Sequence, residues 1–373
     1  MTVRIVALAS LLGLAASCGS SEPDTFIDID GRLERSATVT VSVSIDGTIV
    51  PDSTVLWIAG PSSAVSFGHG GTATFLTAGP VTLAAEVSGK RVSRLVEIAV
   101  PPTIVFDLLR DGNRDIYRAA LDGQSMVRLT THATDDGDPT VAGDTVVFVS
   151  LRDGNGELYQ IPLSGGTPER LTSNTVPDAT PALSRDGGFL AYSRSDAGVA
   201  KLWVRSMVLG TAARVTGSFG FAGSIETSPS WAPDRSRIAF VSTADGTADL
   251  FSYTLSDSSF APLVPDSASS AEVEPAWSPD GTWIAYASNR SGETEIYAYE
   301  LATGSNVQLT DRPETDGRPA WLDDGRLVYV SWTGGTPELR WLDPAEPGVT
   351  HEIDIGPGDP DNPSGVADEA TND

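Results

Sequence analysis

One short phrase is written five times in this chain: an acidic residue, a Pro three positions later, a turn, an apolar-aromatic run, a Gly-rich hairpin and a second apolar run. Its clearest copy is Glu272-Val-Glu-Pro275-Ala-Trp277-Ser-Pro-Asp-Gly281, followed by Ile284-Ala-Tyr286, Glu295-Ile-Tyr297 and Leu309-Thr310. The opening prolines, Pro139, Pro181, Pro229, Pro275 and Pro319, stand 42, 48, 46 and 44 residues apart. A period of that length marks a repeat architecture, whose units bury their apolar faces only by stacking on one another.

Aligning the aromatic residue after the turn adds a sixth, earlier copy that lacks the Pro: Phe106, Phe148, Tyr192, Phe240, Tyr286 and Tyr329. Each unit carries four short strand signals bounded by Gly, Pro and Asp. Four strands per repeat is the pattern of a propeller blade. Ser278-Pro279-Asp280-Gly281 is turn chemistry, with Pro presetting φ, Asp bonding nearby backbone and Gly accepting positive φ. The runs Val146–Val149 and Trp283–Ala287 hardly alternate in polarity, as expected of strands covered on both faces.

The charge balance narrows the partners. Fifty acidic residues against 24 basic ones give a formal net charge of -26, and Lys occurs only at 90 and 201. Such a surface repels phosphate backbones, so nucleic acid is not expected as a partner.

Residues 1–18 read as an export signal: Arg4, then the apolar stretch Ile5 to Leu14, then the small residues Ala15-Ala-Ser17, then Cys18, the only cysteine. This resembles a bacterial lipoprotein signal, which implies that Cys18 becomes the lipidated first residue. The alternative is an ordinary secretory signal beside a chance cysteine. Residues 19–24 form a polar tether. From 25 to 100 the strand signals Thr38–Ser44 and Leu95–Val100, with turn signals at Asp46-Gly47, Gly60-Pro61, Gly70-Gly71 and Gly79-Pro80, suggest a small β-sandwich. Val55-Leu-Trp57, Gly70–Phe75 and Val81–Ala85 resemble bacterial immunoglobulin-like domains. Pro101-Pro102 makes a stiff joint to the repeat region.

Residues 103–356 resemble the TolB-type, WD40-like β-propeller repeat family, on the strength of Pro275–Gly281 with Ile284-Ala-Tyr286, Pro229–Asp234, Arg110-Asp-Gly-Asn113 with Asp115-Ile-Tyr117, and Arg152-Asp-Gly-Asn155 with Glu157-Leu-Tyr159. The resemblance implies a protein-binding role in the bacterial periplasm. The first unit lacks an innermost strand of its own. Two segments are candidates to supply it: the acidic tail 357–373, which is expected to be either disordered or a closing strand and where Asp359-Pro-Asp-Asn-Pro363 echoes the repeat phrase, and Leu95–Val100. The tail is the preferred one.

Three sets of residues are candidates for chemistry. The acidic residue three before each Pro recurs as Asp136, Asp178, Glu226, Glu272 and Asp316. At the entry to the innermost strands, these carboxylates are expected to ring one mouth of a central channel, where they would attract a cation or a basic segment. The competing reading is that each caps the backbone of its own turn. Asp111–Asp115 and Asp153–Glu157 place oxygen-bearing residues at alternate positions, as a calcium loop begins, but tight-hairpin chemistry accounts for the same residues. His69, His132 and His351 are scattered, without paired metal-ligand spacing, and no GxSxG elbow occurs.

The sequence therefore leads to an all-β chain, an N-terminal immunoglobulin-like β-sandwich followed by a six-bladed β-propeller. It is expected to be a monomeric, non-catalytic envelope lipoprotein, lipid-anchored at the periplasmic face or the outer membrane, binding an envelope protein or a peptide or polysaccharide ligand, with no cofactor and no metal. The alternative is an envelope carbohydrate-active or metal-dependent enzyme working at the acidic mouth.

Overall fold

The computed structural model describes residues 25–45, 48–215, 223–265 and 270–366. Cys18 and the rest of the expected export signal lie outside the described residues, as do residues 367–373 of the tail. The chain divides into two compact units, Met1–Pro101 and Pro102–Asp373. Described secondary structure is β throughout, apart from two three-residue 3-10 turns.

In the smaller unit, Thr25–Asp30, Thr38–Ile45, Thr72–Phe75 and Val65–Gly68 pair in that order, with Thr48–Ile49 added to Thr38–Ile45. Leu56–Gly60, Gly79–Val87 and Lys90–Ile98 make a second, three-stranded sheet. Alternate residues of each sheet meet in one core, Val39, Val41, Ala73 and Phe75 against Val81, Leu83, Val96 and Ile98. Period-two alternation is what lets each strand give one face to this core and the other to water. The segment Leu95–Val100 is accounted for here, because Lys90–Ile98 pairs with Gly79–Val87.

The larger unit holds six successive four-stranded antiparallel sheets. The fifth is representative: Glu272–Trp277, Trp283–Ser288, Glu295–Glu300 and Asn306–Gln308, in spatial order. Its second strand is apolar from Trp283 to Ala287 because both faces are covered. Ile284 and Tyr286 pack with Ala239 and Val241 of the fourth sheet, whereas Ala285 and Ala287 pack with Leu327 and Tyr329 of the sixth. The same two-sided packing joins the ends of the series, since Phe106 and Leu108 of the first sheet meet Val328 and Val330 of the sixth, while Val105 meets Val146 and Phe148 of the second.

The first sheet contains Val127–Arg128, Asn113–Ala120, Thr103–Arg110 and, on the inner edge, the tail strand Asp359–Gly365. The innermost strands of the second to sixth sheets start at Asp136, Asp178, Glu226, Glu272 and Thr315. Neighbouring innermost strands touch in cyclic order, and Asp359–Gly365 touches both Thr315–Trp321 and Asp136–Ala142. Burying that edge removes a row of unpaired backbone groups.

Candidate binding site along the channel

The five repeated carboxylates are not on a channel mouth. All are at most 2% exposed, and none is among the residues lining the two channel cavities described below. Each sits at the start of its innermost strand, where a carboxylate withdrawn from water needs a charged or hydrogen-bonding partner. Arg152 Nη2 donates to both oxygens of Asp136 at 3.1 and 3.0 Å, and Arg194 grips Asp178 through Nε and Nη2 at 2.7 and 2.9 Å. Arg290 Nη2 reaches Glu272 at 3.1 Å, and the buried Lys201 Nζ reaches Glu226 at 3.0 Å. The three guanidiniums also lie over aromatic rings, 4.5 Å from Tyr159, 4.6 Å from Trp203 and 4.9 Å from Tyr297. Asp316 differs. Thr333 stands where Arg152 and Arg290 stand, two residues beyond the Ser paired with the acid. Its neighbours are the hydroxyls of Ser331 and Thr310, neither oxygen makes a well-formed hydrogen bond, and burial pushes its carboxyl up.

The residue directly before each Pro occupies the wall instead. Every innermost strand breaks register there, between Gly137 and Thr140 in the second sheet and at the matching place in the other five. At each break the residue before Pro turns left-handed: Asp138, Thr180, Ser228, Glu274, Arg318 and Asn362 have φ of 49, 45, 50, 56, 56 and 46°. Left-handed backbone is sparsely populated by non-glycine residues, and the position before Pro favours extended backbone, so six such residues store strain. These six, with their prolines, line a cavity of about 340 Å³.

Side chains from adjacent sheets satisfy the backbone turned inward at this ring. Glu274 Oε2 accepts from Arg318 N at 2.7 Å, and Thr180 Oγ1 from Ser228 N at 3.2 Å. Buried Asp107 accepts from Asp138 N and from Asn362 Nδ2, both at 2.9 Å, and also pairs with Arg114. Asp361 lies 2.6 Å from Arg318 Nε. Burial, reinforced by Asp107 and opposed by Arg318, pushes the Asp361 carboxyl up to about 6. Burial and Asp107 likewise raise Asp138. A single wall thus carries carboxylates, a guanidinium, hydroxyls and an amide.

Beyond the collar of six prolines lies a second cavity, of about 260 Å³, with Trp231, Trp277 and Trp321 on its wall. Arg185 of the third sheet and Asp323 of the sixth also line it.

The remaining candidates stay apart. His132 bonds Thr134 Oγ1 at 2.8 Å in an exposed loop, His351 stacks on Trp341 with centroids 4.0 Å apart, and His69 belongs to the smaller unit. Asn113 and Asn155 donate across their hairpins to Asp115 and Glu157 at 3.0 and 3.2 Å; those acids also pair with Arg128 and Arg170. Among the described residues, no three His, Cys, Asp or Glu side chains gather as a metal set.

The family described as the TolB beta propeller domain (PD40) matches residues 101–220. TolB from Acinetobacter baumannii shares the fold at a TM-score of 0.64 and 16% identity, over 84% of this chain and 83% of that one. The larger unit is a TolB-like β-propeller. A putative TolB from Agrobacterium tumefaciens superimposes at a TM-score of 0.55 and 18% identity, covering 68% of this chain and 88% of that one. Hydrazine synthase from Kuenenia stuttgartiensis superimposes at 0.60 and 12% identity over 71% of this chain, which matches 47% of the larger partner. No curated protein sequence matches this chain. The fold is thus shared with differently named proteins, and the fold alone assigns no role.

Proposed function

We propose that this chain is a non-catalytic envelope lipoprotein, anchored through Cys18, which carries an immunoglobulin-like module and a six-bladed TolB-like propeller that binds a protein or another envelope ligand. The carrying observation is the ring of residues before the prolines. One strained backbone conformation recurs six times, yet the side chains displayed are Asp, Thr, Ser, Glu, Arg and Asn in turn. A symmetric scaffold bearing six different polar groups specifies one orientation of an asymmetric ligand.

The test is a photo-crosslinking amino acid at Thr180 on the channel wall, with Thr282 on an exposed turn as the control, in cells producing the full chain. A discrete envelope adduct from position 180, absent from 282 and lost in Arg318→Glu, is expected. Absence of an adduct from position 180, or an equal adduct from 282, overturns the proposal.

One observation favours the enzyme reading: the raised carboxyl of Asp361, 2.6 Å from Arg318, is suited to proton transfer near neutral pH. Turnover of an envelope oligosaccharide that Asp361→Asn abolishes would establish it.

A further inference from the structure

A cavity of about 530 Å³ opens between the fifth and sixth sheets, within the range typical of small-molecule sites. It is built from the turn Ser278–Asp280, the outer strands of the fifth sheet, and the turns at Asp323–Gly325 and Asp343–Ala345. Its body is apolar, with the half-buried indoles of Trp283 and Trp321 beside Val307 and Leu309. Trp321 is held in place by its Nε1, which donates to Ala276 O at 3.0 Å.

The rim carries four carboxylates, Asp280, Asp323, Asp324 and Asp343. Arg185 pairs with Asp323 and Arg326 with Asp324. Asp280 accepts from Ser278 Oγ, Thr282 N and Thr282 Oγ1 at 2.6, 3.0 and 2.8 Å. Burial pulls the Asp280 carboxyl up, but these hydrogen bonds outweigh it and hold the group below its usual value, hence ionised at neutral pH. An indole face attracts cations through its quadrupole, and nearby carboxylates add to the attraction.

The geometry points to a binding site for a small organic cation, an amine carried on an aromatic or alkyl body, in the cleft between Trp283 and Trp321 beneath Asp280. Charge complementarity selects the ammonium, and the enclosed apolar volume selects the body. The site shares lining residues, Trp321 and Asp323 among them, with the second channel cavity but none of the six residues of the ring, and does not depend on what that ring binds.

The probes are phenethylamine, its neutral analogue phenethyl alcohol and the anionic 3-phenylpropionate, titrated calorimetrically against the whole protein. The amine is expected to bind at least about tenfold more tightly than either analogue and to weaken with added salt. Asp280→Asn keeps the turn acceptor but removes the charge, and should weaken the amine by roughly 2- to 5-fold. Trp283→Leu should weaken it by roughly 2- to 30-fold. Ala345→Arg, at an exposed position on the rim, should abolish binding without touching the core. Equal binding of the three probes, no binding of the amine at millimolar concentration, or amine binding that survives Ala345→Arg would overturn the proposal. So would a Lys-Phe peptide that binds where the free amine does not, because the site would then belong to a protein partner.

Discussion

Arg185 Nη1 lies 2.8 Å from Asp323 Oδ1, although one residue belongs to the third sheet and the other to the sixth, three places apart in a ring of six. The pair therefore spans the end of the channel where the Trp side chains gather. At 40% exposure for Arg185, an ion pair of this kind contributes about 0–1 kcal/mol, so its effect should be on access. Arg185→Ala is expected to shift stability by no more than about 1 kcal/mol while increasing hydroxyl-radical labelling of Trp231, Trp277 and Trp321. Unchanged labelling would mean the pair bars nothing.

The paired and unpaired carboxylates should respond oppositely to mutation. Arg152→Ala strands the buried Asp136 and should cost about 3–5 kcal/mol in denaturant unfolding. Asp316→Asn removes a buried charge that no cation hydrogen-bonds and that the Arg312 field offsets only in part, and should leave stability unchanged or raise it by about 1 kcal/mol. Equal losses would show that Asp316 is held as its counterparts are.

Asp361 should give a pH signature. Its carboxyl is raised to about 6 in the folded state, above roughly 3.9 in the unfolded chain, so the ionised form is disfavoured by folding. The penalty is full above about pH 6 and vanishes below about pH 4, with an upper bound of about 3 kcal/mol. Stability attributable to this group therefore rises as pH falls through that window. Asp361→Asn should gain stability relative to wild type when measured at pH 7.5 rather than at pH 4.5; a pH-independent difference would contradict the raised value.

The closing strand is testable by steric substitution as well as by truncation. A Cβ at Gly365 would meet Trp321 O at 2.5 Å and Leu322 Cδ2 at 2.8 Å. Gly365→Val should lower the melting temperature by several degrees, and deletion of 357–373 should lower it further and promote association through the bared edge of Thr103–Arg110. A truncated chain that melts with the wild type would show that the tail strand contributes no stability.

Cys18→Ser should move the protein from the membrane fraction to the soluble fraction or leave it unprocessed, because two or more acyl chains anchor stably where one does not. Equal detergent partitioning of mutant and wild type would dispose of the anchor.

The all-β repeat architecture was legible because each unit repeats its own turn chemistry: Gly281 does adopt positive φ, at 73°, and Asp280 does bond its own turn. The candidate site was read two residues out of place. The acid three before each Pro recurs because four of the five inner strands bury it against a cation, so its regularity reports construction. The channel wall is formed by the position before each Pro, where the backbone repeats and the side chains do not, leaving no pattern of residue type to find. Asp107 left one local trace, an acid inside the apolar run Ile104–Leu109. Its bond to Asn362, 255 residues away, left none.

That separation sets a delay on synthesis. At roughly 5–20 residues per second, a stretch of about 250 residues takes on the order of 10–50 s to translate, and until the last strand emerges Thr103–Arg110 has no inner neighbour. Of the six propeller sheets, the first to be begun is the last to be completed. A newborn chain thus presents an adhesive strand margin for most of its production, and a holding chaperone would find its clearest target at the beginning of the propeller.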